Sequence, residues 1–199
     1  MTQVHTIDQN NVRTGWYTLL IAFGSYAVIA VTLSATGVFS AIDTNIFPAV
    51  VAIATIGLTL SYFYVPSIRS LAENLGPYGL ASFHVWRIPA ALTFLYYGYQ
   101  GWLPMTFVNL AGWGDMLAGV LAATLFLLPR AARTVAGFHI IGFTDFVIAV
   151  GTGIVLNFLE PSSMANILLL PVAIIPLVGV PLSGATHIAA LHQLWVKRA

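Results

Sequence analysis

The sequence predicts an all-α membrane protein, a polytopic bundle of six transmembrane helices with short loops and both termini in the cytoplasm. Three observations carry this. Of the 199 residues, 59% are hydrophobic and only 7% charged, with a mean hydropathy of +0.90, whereas a soluble domain carries about a quarter charged residues. Apolar stretches of about 20 residues, the length a helix needs to cross a bilayer, recur along the chain. The alternating pattern of a membrane barrel is absent, and lipid admits only helices or closed barrels. The same composition excludes other classes. A net charge of +1 without a basic block leaves nothing for nucleic acid to bind. The absence of cysteine removes disulfides, thiolate metal sites and thiol catalysis together.

Each element follows from hydropathy and punctuation. The first span, about 16–39, follows a polar tail and is too long for a signal-peptide core, so it reads as a retained helix. "FSA" before Ile42 is only a faint cleavage-like context. The second, about 46–66, follows "SAIDTN", and the third, about 80–100, follows "RSLAENLGPYG". The fourth, about 113–129, follows "GWLPMTFVNLAGWG", and the fifth, about 135–158, follows "PRAART". The sixth, about 164–192, follows "EPSS" and contains Pro171, Pro176 and Pro181. Each of these prolines removes a backbone donor and kinks the helix, as tilt accommodation or as a hinge. Residues 1–199 therefore form one membrane domain.

Charge sets the orientation. Arg13, Arg69, Arg130, Arg133, Lys197 and Arg198 all fall on one side, and the opposite loops hold Asp43 and Glu160 without a cation. The positive-inside rule places that side, with both termini, in the cytoplasm. Trp16 and Trp195 mark one interface; Tyr96, Tyr97, Tyr99, Trp102 and Trp113 mark the other.

Polar residues inside the spans are costly in lipid and so carry information. They are His84 and Arg87 in the third span, Asp115 in the fourth, His139 and Asp145 in the fifth, and His187 and His192 in the sixth. At about 1.5 Å per residue, His84 and His139 both lie roughly 6 Å inside the cytoplasmic edge. His187 returns to a similar depth, so touching helices would let His84, His139 and His187 share one cofactor site. Spacing puts His84, Arg87, Ala91 and Gly98 on one stripe, and Gly142, Asp145, Ala149 and Thr152 on another. Arg87 and Asp145 are natural partners, because either is expensive alone. "ASFHVWR" at 81–87 resembles "AGFHIIG" at 136–142, as a duplicated two-helix unit would.

Several readings of these residues compete. Imidazoles at matched depth suit a haem b, the first cofactor to test, or a metal or quinone-type site. The bland alternative is interfacial histidines with one bonded nitrogen. Asp115, Asp145 and Arg87 suit a small proton- or ion-coupled transporter; Asp115 alone also reads as a first-turn helix cap. A loop-poor apolar chain further suits an accessory subunit or a homo-oligomer, with small residues in "VTLSATG" (31–37) docking a partner helix. Enzyme chemistry has least support, since Ser183 before "GATH" lacks a nucleophile elbow or a carboxylate. The leading expectation is a binding or accessory membrane component; transport is the alternative.

At "HVWRIPAALTFLYYGYQGWLP", "AGWGD" and "THIAALHQL" the chain resembles small uncharacterised bacterial polytopic membrane proteins. That resemblance implies a bacterial inner membrane and brings no activity with it.

Overall fold

The structure, a computed structural model, describes residues 8–41 and 45–196. Asp43, Lys197 and Arg198, used above for orientation, lie outside the described residues. The described residues are helical almost throughout and contain no strand. Helix α1 (Gln9–Ala35) opens on Asp8, whose carboxylate accepts the Asn10 backbone N–H at 2.9 Å. Next come α2 (Ile46–Tyr64), α3 (Pro66–Phe83) and α4 (Arg87–Tyr99). They are followed by α5 (Met105–Thr124), α6 (Ala132–Leu159) and α7 (Ile175–Val196). Five of the seven, α1, α2, α5, α6 and α7, are long and apolar enough to cross a membrane.

Three predicted spans take a different form. The third is not one helix: a 3-10 turn at His84–Trp86 separates α3 from α4. Pro89 explains it, because a proline cannot donate to the carbonyl four residues back and its ring crowds that carbonyl. α3 itself breaks at Gly76, whose φ of 65° is open to glycine and strained for other residues. Pro77 then starts a new helical run with its φ already set.

The fourth span begins at Met105 rather than near 113, and the "AGWG" stretch lies inside it. Its glycines are contact residues, not turn residues. A Cβ on Gly119 would come within 2.7 Å of Ile88, and one on Gly98 of α4 would come equally close to Val108. Small residues of this kind let two helix backbones approach in an apolar medium.

The sixth span is shorter than predicted. Residues Pro161–Leu168 form a 3-10 stretch, and only Ile175–Val196 is a continuous helix, opened by a π-turn over Ile175–Gly179. Pro181 cannot donate to the carbonyl of Leu177, and the Tyr26 hydroxyl of α1 donates to it instead, at 2.9 Å. Tyr26→Phe should therefore cost about 0.5–1.5 kcal/mol, read as a lower unfolding midpoint in mixed micelles.

α7 is the central post. It packs on α2, α3 and α6, and buries Ser183, Gly184, His187 and Gln193. The outer helices invert the pattern of a soluble protein: Ile21 is 69% exposed and Ile53 71%, while charged and imidazole groups lie inside. A surface of this kind is stable only against another apolar medium.

Candidate functional site

Two buried polar clusters sit side by side where the α3–α4 turn meets α5, α6 and α7. The first is built on Arg87, the first residue of α4, which is 3% exposed. All three guanidinium nitrogens are used. Nε donates to Asp115 Oδ1 at 2.5 Å, Nη2 donates to Asp145 Oδ2, and Nη1 donates to the Gly142 carbonyl at 3.3 Å. A planar fork of donors suits this division among three acceptors. Gly114 makes room for it, since a Cβ there would run into the Asp145 carboxylate. Asp115 is therefore not a helix cap. α5 starts ten residues earlier (105 against 115), and the carboxylate serves Arg87 instead. With both acids ionised, the triad carries one excess negative charge.

The second cluster joins His84, His139 and His187, each 0% exposed. One ring nitrogen from each lies within 4.8 Å of the other two. Hydrogen bonding places some of their protons. Thr186 Oγ1 lies 2.7 Å from the Leu182 carbonyl, 3.1 Å from the Ser183 carbonyl and 3.1 Å from His84 Nε2, while His84 Nδ1 has no partner. His139 Nε2 lies 2.9 Å from the Pro77 carbonyl, which only accepts, so Nε2 donates there and the neutral ring keeps its lone pair on Nδ1. His187 Nδ1, 3.0 Å away, donates to that lone pair, which puts the lone pair of His187 on Nε2, an atom without a partner.

One ring nitrogen of each histidine thus lies near the other two, and His139 donates its other N–H to a fixed oxygen, the arrangement that orients metal-binding histidines. The shell around them is apolar and aromatic, with Phe138 in ring contact with all three histidines. A spacing near 3 Å is also that of two ligands on one ion, given bonds of about 2.0–2.1 Å.

His84 and His187 stack face to face at 3.9 Å with 21° between their planes, so these two rings cannot be the axial pair of a haem. His84 and His139 lie 6.1 Å apart at 81°. His192 takes no part in the cluster; its Nδ1 lies 2.8 Å from the Tyr62 hydroxyl.

The two clusters touch through Gly142. Its carbonyl accepts from Arg87, and a Cβ on it would lie 2.5 Å from His187 Cε1. The sequence pattern placed the three histidines near one level and paired Arg87 with Asp145, but missed the supporting groups. Pro77 was read as loop, and the only signal for Thr186 was its place beside His187.

These features define a class: an all-helical protein with apolar, span-length helices around a buried charge triad and a three-histidine cluster. Residues 45–195 match the model of a family described as a domain of unknown function, DUF8737. The chain belongs to that family. α1 precedes the matched region, and every site residue named here lies within it. No curated protein and no solved structure matches the chain.

Proposed function

We propose that this is an integral membrane protein that binds a transition-metal ion of the zinc or copper class at His84, His139 and His187. The observation that carries the reading is the buried three-histidine cluster, with one ring nitrogen of each within 4.8 Å of the others and His139 oriented by the Pro77 carbonyl. Imidazole suits zinc and copper, and three such ligands leave a fourth position open. With both of its acids ionised, the Arg87 triad, in contact through Gly142, offsets part of the charge of a buried cation.

The test is elemental analysis of the purified full chain, followed by titration of the metal-stripped protein with Zn2+ and with Cu+. One ion per chain, with X-ray absorption reporting a nitrogen shell near 2.0 Å, is the expected result. Absence of saturable binding of either ion overturns the reading.

The same proposal places six spans in a bacterial inner membrane, with both termini cytoplasmic. Residues 77–99 support the sixth crossing, since helix and 3-10 turn follow one another without a gap over roughly 35 Å at about 1.5 Å per residue. Arg13, Arg69, Arg130 and Arg133 support the orientation, and the resemblance to bacterial polytopic proteins supports the compartment. A reporter fused after Ala199 should be active only as a cytoplasmic fusion; periplasmic activity reverses the topology.

The second reading, a small ion-coupled transporter, is favoured by one observation, that Arg87 is shared by two buried acids. Proton-coupled uptake lost in Asp145→Asn would be its sign.

A further inference from the structure

Every donor in the histidine cluster is a neutral imidazole. Among the described residues no carboxylate joins His84, His139 and His187, and the chain has no cysteine. Two oxygens border the cluster, and both are engaged. The Pro77 carbonyl accepts from His139 Nε2, and the Thr186 hydroxyl lies within 3.1 Å of two carbonyls and of His84 Nε2.

Solvent is a poor source of a fourth donor. The three histidines are 0% exposed, and none of them lines the apolar cavity of about 270 Å³ beside Arg87. Phe83 contacts His84, Phe143 contacts His187 and Phe138 contacts all three, so aromatic carbon forms the shell. A ligand water would need its own space and further polar partners. Zinc in proteins is almost always four-coordinate, through a fourth side chain or a water. Three donors in a dry shell fall short of that. Imidazole suits copper equally, and univalent copper is satisfied by two or three nitrogen donors.

Charge favours the same ion. The cost of moving an ion into a low-dielectric interior rises with the square of its charge. The compensating charge at hand is that of the Arg87 triad, which meets His187 at Gly142. One guanidinium between two carboxylates carries at most one unit of negative charge. That neutralises a univalent ion in full and a divalent ion only by half.

Resting on the metal reading above, we propose that the cluster is a three-coordinate site selective for Cu+ over Zn2+, with the Arg87 triad as its counter-charge. The ion replaces the hydrogen bond between His139 Nδ1 and His187 Nδ1, and the His187 proton moves to Nε2, an atom without another partner. All three rings stay neutral, and no proton leaves the site.

Competition titration of the full chain in detergent micelles under argon tests this, with bathocuproine disulfonate competing for Cu+ and EGTA for Zn2+. One Cu+ per chain is expected, bound at least about tenfold more tightly than Zn2+. X-ray absorption at the copper edge should report nitrogen neighbours in a three-coordinate site. Asp145→Asn removes one negative charge and leaves Arg87 paired with Asp115. Coulomb energy scales with the charge on the ion, so this variant should lose about twice as much Zn2+ affinity as Cu+ affinity on a logarithmic scale. Zn2+ bound as tightly as Cu+, or more tightly, overturns the selectivity and leaves the metal reading standing. Binding of neither ion overturns both. Equal logarithmic losses in Asp145→Asn overturn the role of the triad.

Discussion

Arg87→Met is expected to destabilise the bundle by about 3–5 kcal/mol, because it leaves the buried Asp115 and the partly buried Asp145 without their shared cation. Methionine keeps much of the apolar stem, so the loss reports charge rather than packing. The measurement is reversible unfolding in mixed micelles, followed by circular dichroism. Asp145→Asn should be far milder, at about 1.5 kcal/mol or less, since Arg87 and Asp115 then remain as a one-to-one pair. Arg87→Lys should fall between them. A single ammonium cannot meet Asp115, Asp145 and the Gly142 carbonyl in the geometry a guanidinium fork provides. Equal losses from Arg87→Met and Asp145→Asn would show that the two acids do not depend on one cation.

His139→Ala is expected to lower Zn2+ affinity by more than about 100-fold, beyond the 10–100-fold that loss of an outer hydrogen-bond partner costs. Thr186→Val, which removes only the hydroxyl 3.1 Å from His84 Nε2, should fall inside that range. Acidification provides an independent check. Proton and metal compete for the same imidazole lone pairs, so affinity must fall as pH falls, more steeply for three histidines than for one. Dialysis at a series of pH values from about 7.5 to 5 reads this directly, around the ordinary histidine range. Retention of the ion independent of pH would falsify imidazole ligation.

Much of the helical layout was legible because it depends on local composition. The apolar run at 46–66 became α2 at Ile46–Tyr64, and that at 135–158 became α6 at Ala132–Leu159. Misplaced boundaries lie where glycine and proline were read as punctuation. Gly112 and Gly114 sit inside α5, because there they make room for other helices. Glycine in a loop and glycine at a helix contact look alike in one dimension. Pro89 and Pro181 act through the carbonyl four residues back, at Val85 and Leu177, so their effects appear away from the prolines themselves.

Depth along each span, set by residue count and rise, was enough to bring His84, His139 and His187 to a common level, and the cost of an unpaired charge was enough to pair Arg87 with Asp145 in expectation. The sequence by itself thus determined the class of architecture and the small set of expensive polar groups, because lipid penalises each such residue whatever its neighbours. Rotation and partner choice belonged to the tertiary structure. Only the packed bundle made Asp115 the second acid on Arg87, paired His192 with Tyr62, and set the His139 tautomer through the Pro77 carbonyl. The physical reason is that hydrogen bonds between helices depend on ångström-scale approach. That approach is set here by small residues such as Gly114 and Gly142, whose importance lies in the groups they admit.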